Sequence, residues 1–156
     1  MFIKIIGKPK KDLSNYIVKK AARFYGEYLL GKKLANNVDL TIEFISFERG
    51  SNEYAFCDWT DDNHKARDFL ITIDSRLPKK EILLALAHEM VHLKQYARGE
   101  LKDIFKPIKM VKWMGEKYDS DNIDYWEQPW EIEAYGREKG LYVKFMTILK
   151  EDDDTI

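Results

Sequence analysis

"LALAHEMVHLKQYARGE", residues 84–100, sets two of the chain's three histidines four positions apart, with a glutamate directly after the first. On a helix, positions four apart lie one turn above each other, with about 5 to 6 Å between their Cβ atoms, so His88 and His92 face the same point. Both imidazoles can then reach one cation, at about 2.0 to 2.1 Å for zinc. Glu89 lies about 100° further round the helix. That puts it beside the cation without ligating it, where a general base takes a proton from a water the metal activates. The competing reading is two core histidines and a salt-bridged glutamate on a buried helix. Three histidines placed independently rarely give H-E-x-x-H, and the metal reading is adopted.

The helix around the motif has clear limits. Pro78 suits its first position and Gly99 the residue just past its end. Upstream, "DLSNYIVKKAARFYGEYLL" (12–30) has the spacing of an amphipathic helix, with Asp12 or Ser14 as N-cap and Gly31 as the stop. "VDLTIEFISF" (38–47) alternates apolar and polar residues as a strand does. "EYAFCDWT" (53–60) and "RDFLITID" (67–74) are strands flanking a polar hairpin tip, "DDNHK". These three runs predict an antiparallel meander, joined by residues 2–6 as a fourth strand. Downstream, residues 100–128 contain Pro107 and Gly115 and read as mostly irregular, with room for a short helix at 108–117. "DSDNID" (119–124) lacks the glycine and distal glutamate of a calcium loop and reads as a turn. A last helix is expected from Pro129, offering Trp130, Ala134, Leu141, Phe145 and Leu149 for packing. Gly136 and Gly140, one turn apart on it, would let another backbone come close.

At 156 residues, 45% hydrophobic and 34% charged, the chain has the size and balance of a single globular α+β domain. Its expected span is 1–150, followed by an acidic tail at 151–156. No apolar run approaches the 18 or more residues needed to cross a bilayer, and "MFIKIIGKPKK" reads as a first strand rather than a signal. One cysteine, Cys57, excludes an internal disulfide and fits a reducing, cytoplasmic compartment. The formal net charge of -1 gives no pull towards nucleic acid or an anionic membrane. The lysines at 102, 106, 109, 112 and 117 read as solvated surface.

A catalytic zinc needs a third protein ligand and an open position. His64 sits in the charged hairpin tip and reads as surface, Cys57 reads as a strand residue, and no histidine follows His92. Carboxylates remain, and the best placed are Glu131 and Glu133 in "PWEIEAY", at the start of a helix able to pack on the first.

"AHEMVHLKQY" followed by "PWEIEAY" resembles the gluzincin type of zinc metallopeptidase, in particular the small H-E-x-x-H proteins of bacteria and phages with a downstream E-x-E-A segment. The resemblance implies a zincin-like domain. It has a three- or four-stranded antiparallel sheet, an N-terminal helix, the H-E-x-x-H active-site helix and a C-terminal ligand-bearing helix. It implies zinc held by His88, His92 and Glu131, with Glu133 as the fallback ligand, and Glu89 as the base. An edge strand, taken as residues 67–74, would pair with an extended peptide by β-augmentation. Gluzincins often carry Asp or Asn four residues after the ligand glutamate to orient a histidine. Here that residue is Tyr135, so another group, Asp103 or a backbone carbonyl, has to do so. The strands and motif helix also resemble SprT-like DNA-associated proteases, which use a third histidine that this chain lacks.

A tetrahedral intermediate needs a hydrogen-bond donor besides the metal. Tyr135, Tyr125, Tyr118 and Arg137 are candidates, and Tyr135 leads because it shares a helix with Glu131. Trp113, Trp126 and Trp130 are either core beneath a long loop or the lining of an apolar subsite. The expected function is a monomeric zinc metalloendopeptidase acting on a peptide or protein. The alternatives are a zinc-binding interaction or regulatory domain without catalysis, or a DNA-associated protease.

Overall fold

The computed structural model describes residues 1–48, 50–61, 64–104 and 110–153. The chain runs β1 (Phe2–Ile6), α1 (Asn15–Leu30), α2 (Lys32–Ala35), β2 (Asp39–Ile45), β3 (Ala55–Trp59), β4 (Asp68–Asp74) and α3 (Lys79–Arg98). It continues through β5 (Leu101–Ile104), β6 (Met110–Trp113), β7 (Glu116–Tyr118), a 3-10 turn at Tyr125–Glu127 and α4 (Pro129–Asp153). The class is α+β, with a mixed four-stranded sheet and a separate three-stranded antiparallel one.

The large sheet has the order β1-β2-β4-β3, and its first two pairings are parallel. Only β3 and β4 pair antiparallel. The antiparallel meander is therefore corrected to a mixed sheet, and residues 67–74 supply an interior strand instead of an edge. The reason lies in β4 itself. "DFLITID" is buried at five of its seven residues, the profile of a strand covered on both flanks. The shorter "AFCDW" of β3 alternates between half-buried and exposed, as an edge does. α1 crosses between β1 and β2 and returns the chain to the end it left, which makes that pair parallel.

α1 begins at Ser14, whose hydroxyl accepts from the Ile17 N–H, and ends at Gly31 at φ 75°. α3 starts one residue after Pro78 and stops at Gly99 in the left-handed conformation. α3 is the central element of the domain, touching β3 and β4 of the large sheet, β5 of the small one, and both α1 and α4. Ile82, Leu83, Leu86, Met90 and Leu93 of α3 meet Phe69, Ile71 and Ile73 of β4, Val18 and Tyr25 of α1, and Ala134, Leu141 and Phe145 of α4 in one core. Close neighbours occur instead at Gly7, where an added Cβ would meet the backbone of Phe44, and at Gly26 of α1, where it would meet the side chains of Met1 and Met90. Gly136 and Gly140 face open space, contrary to the expectation of a close approach there.

Residues 101–104 and 110–118 are not irregular. They form a small sheet in which Met114 (φ 48°) and Gly115 (φ 92°) make a tight turn between β6 and β7. A methionine rarely adopts positive φ, so the turn carries no Asn-Gly or Asp-Gly signal. The expected helix at 108–117 is replaced by strand over 110–113, and 108 and 109 lie outside the described residues. α4 continues through residues 151–153 of the expected tail, whose last three residues also lie outside.

α4 is held to α1 by Phe145, 1% exposed, with its ring 6.0 Å from that of Phe24 and 5.8 Å from that of Tyr25. Phe145→Ala is expected to cost about 3 to 5 kcal/mol of stability, the range for emptying a buried aromatic site. Urea unfolding of the metal-free protein measures it, and a loss below about 1 kcal/mol would contradict this packing.

Candidate metal centre

Two helices build the centre. α3 presents His88 and His92 one turn apart, and α4 packs against it so that Glu131, in its first turn, meets both. The Nε2 atoms of the histidines are 3.1 Å apart. Glu131 Oε2 is 3.3 Å from His88 Nε2, and Oε1 is 3.3 Å from His92 Nε2. Ligands about 2.05 Å from a tetrahedral zinc ion lie about 3.3 to 3.4 Å from one another, so each imidazole sits at a compatible distance from one oxygen of the carboxylate, and one ligand atom from each of the three residues lies within 4.8 Å of the other two. All three residues are 8% exposed. Among the described residues, this is the group of His, Cys, Asp and Glu side chains able to hold a metal ion.

Glu133 stays outside this group. Its Oε1 accepts from Lys94 Nζ (2.6 Å) and Arg137 Nε (2.9 Å), and its Oε2 accepts from Gln95 Nε2 (3.0 Å). One position along the helix, about 100°, separates a residue facing the histidines from one turned aside. Two residues, about 200°, separate Glu131 from Glu133. Cys57 and His64 also stay out of the cluster. His64 accepts from Lys102 on the exposed surface, and Cys57 lies on β3 with its thiol pushed well up by burial and by the nearby Glu89 and Asp58.

The imidazoles are oriented by groups the motif does not announce. His88 Nδ1 donates to Glu138 Oε2 at 2.9 Å, and His92 Nδ1 donates to Gln95 Oε1 at 2.9 Å. Glu138 is seven residues beyond Glu131, two turns along the same face of α4, and Gln95 is one turn beyond His92. Neither Asp103 nor a backbone carbonyl does this work. Helical spacing from His92 and from Glu131 is compatible with both roles, but it does not single out these two residues.

Burial alone would lower the pKa of His88, but its hydrogen bonds to Glu131 and Glu138 prevail and push it up to about 9. His92 is also raised, burial being outweighed by Glu131 and Glu89. The Glu131 carboxyl is opposed by burial yet held far below the usual range by both histidines and by the Tyr125 hydroxyl, which donates to its Oε2 at 2.6 Å. Glu89 is pushed up, mainly by burial, with the two histidines pulling the other way. No hydrogen bond or ion pair engages its carboxylate among the described residues.

The site opens into a cleft of about 1010 Å³. Its floor is α3, one wall is β3, and the other is the 3-10 turn and the start of α4. Trp126 and Trp130 line it, whereas Trp113 packs behind Trp130 with ring centroids 6.5 Å apart. Tyr135 also lines the cleft, its ring 4.5 Å from that of His88. Five glutamates line it (Glu53, Glu81, Glu89, Glu131 and Glu138) and, among the described residues, no lysine or arginine does. β3 is the sheet edge here. The bonds Asp74 N–H to Tyr54 C=O and Thr60 N–H to Asp68 C=O fix which residues bond to β4. By the alternation of antiparallel pairs, Ala55 and Cys57 turn their N–H and C=O groups to the open side.

Two outcomes follow for metal binding, both read by competition with a chromophoric chelator. Glu138→Ala is expected to weaken zinc affinity about 10- to 100-fold, the usual worth of a group that orients a ligand histidine. Unchanged affinity would show that Glu138 does not support His88. In the wild type, a cation would have to displace the Nε2 proton that His88 holds towards Glu131 below its pKa of about 9, while the Nδ1 proton stays donated to Glu138. Affinity is therefore expected to climb with pH up to about pH 9 and then level off; a plateau already reached at pH 7 would contradict that competition.

No helix of the described residues is long and apolar enough to cross a membrane. Comparison of the chain with protein-family models, with curated proteins and with solved structures finds no match, so the centre is read from its own residues and their geometry.

Proposed function

We propose that the protein is a zinc-dependent metallopeptidase with a zincin-like domain of gluzincin type. The observation that carries this reading is the convergence of His88, His92 and Glu131 on one point, with an unengaged Glu89 carboxylate beside it in an open cleft. Two imidazoles and one carboxylate at tetrahedral spacing suit zinc in a site that keeps a position open.

The cation, once bound, supplies Lewis acidity to a water and to a peptide carbonyl beside it. Glu89 takes the water's proton and later delivers it to the leaving amine. Burial pushes its pKa up, the direction that helps it hold the proton between the two transfers. Tyr135, which packs on His88 in the cleft wall, is the proposed donor to the oxygen that gains charge. The outward N–H and C=O groups of Ala55 and Cys57 would pair with an extended substrate, so β3 takes the role first expected of residues 67–74. A lining with five glutamates and, among the described residues, no lysine or arginine favours a peptide and disfavours a polyanion, which argues against nucleic acid as substrate.

The test uses zinc-loaded wild type, Glu89→Gln and Tyr135→Phe with a mixture of unstructured peptides, reading new N-termini. Glu89→Gln should bind zinc as the wild type does and lose about 10²- to 10⁴-fold in rate. Tyr135→Phe should lose about 10²- to 10³-fold. Equal cleavage by Glu89→Gln would refute the catalytic role of Glu89, and equal cleavage by Tyr135→Phe that of Tyr135. Zinc binding by a wild type that cleaves nothing would leave a metal-binding interaction domain.

A further inference from the structure

Gln95 is wholly buried beside the centre, and its side-chain amide has no freedom left. Its Oε1 accepts from His92 Nδ1 at 2.9 Å. The two hydrogens on Nε2 go to two acceptors, the Trp130 carbonyl and Glu133 Oε2, each at 3.0 Å. A primary amide has one accepting end and one donating end. Turning it over would set the oxygen against a carbonyl and a carboxylate, and would aim two N–H groups at His92. That imidazole would then have to accept at Nδ1 and carry its proton on Nε2, the atom 3.3 Å from Glu131 Oε1. A proton there occupies the lone pair a cation needs.

We propose that Glu133 is a positioning residue for the metal centre: by fixing the amide orientation of Gln95, it fixes the tautomer of His92 that leaves Nε2 free for the ion. The inference rests on reading His88, His92 and Glu131 as a metal site, and it assigns a role to the glutamate that the E-x-E spacing leaves over. The two histidines are thus held in different ways, His88 by the carboxylate of Glu138 directly and His92 by that of Glu133 through an amide. Lys94 and Arg137 hold the other oxygen of Glu133, which keeps Oε2 facing Gln95. Lys94 is itself buried, with Glu100 Oε2 2.7 Å away as its second anion.

The substitution Glu133→Gln keeps the shape and reverses one contact. Lys94 and Arg137 claim the oxygen of the new amide, so its nitrogen turns to Gln95 and drives that amide to flip. Gln95→Met removes the amide altogether. Zinc affinity is measured for the wild type, the two single variants and the double variant, with urea unfolding of each metal-free protein as the check on folding. Each single variant should lose about 10- to 100-fold in affinity, and the double variant should lose no more than Gln95→Met alone. Losses that multiply in the double variant would overturn the proposal, because Glu133 would then act by a route other than Gln95.

Long-range proton–nitrogen NMR gives a readout that an ion pair's general support of the fold would not move. The His92 Nδ1–H signal should be lost in Glu133→Gln, as the proton moves to Nε2, and should shift in Gln95→Met, where its acceptor is removed, while that of His88 stays. An unmoved His92 signal in Glu133→Gln would also overturn the proposal. Should Glu133→Gln not fold, the wild type decides: both Gln95 side-chain amide protons should exchange slowly, and fast exchange of either refutes it. A wild type that binds no zinc defeats the metal reading instead, and the same signals in the metal-free protein then judge the orientation of His92.

Discussion

The packing of α4 across α3 is the contact on which the rest depends. It places the first turn of one helix over the middle of the other, so that Glu131 meets both histidines at 3.3 Å and Glu138, two turns on, reaches the far nitrogen of His88. Three buried ionisable groups in contact would be costly without partners. Each has them: Glu138 and Gln95 for the histidines, Tyr125 for the carboxylate. Phe145, on the same helix, presses its ring against α1 and holds the alignment from the other end. A shift of α4 by one residue would rotate Glu131 away by about 100°.

The two helices were legible because their evidence is local. Helical periodicity, Pro78, Gly99 and Pro129 mark α3 and α4, and H-E-x-x-H needs only one helix to make sense. The choice between Glu131 and Glu133 needed the resemblance, and the geometry agrees with its first glutamate as the residue that meets the histidines. Sheet order was not legible in the same way. Strand pairing is set by partners far apart in sequence, and the loop at 46–54 is long enough for β4 to insert between β2 and β3. A clue was present, since the unbroken apolar run of "FLITI" suits an interior strand better than an edge. The β6–β7 turn was hidden for a simpler reason, a methionine at positive φ where asparagine or aspartate gives the usual signal.

The groups that orient the histidines show a different limit. Glu138 and Gln95 lie at helical spacing from residues already identified, yet nothing in their type marks them out from other surface-forming glutamates and glutamines. Only the helix crossing turns them inward. The same crossing adds Glu131 and Glu138 to the Glu53, Glu81 and Glu89 that already line the cleft. In the proposed reaction its glutamates and open β3 edge would meet a substrate through backbone hydrogen bonds and negative potential, and the thiol of Cys57, kept protonated by burial and by Glu89, would offer no rival thiolate.

X-ray absorption at the zinc edge, on protein loaded with one equivalent of the metal, tests the central claim most directly. The expected first shell holds nitrogen and oxygen only, at about 2.0 to 2.2 Å, with the outer-shell scattering of two imidazoles and not three. A sulfur at about 2.3 Å, a third imidazole, or failure to retain the metal would contradict a centre built from His88, His92 and Glu131.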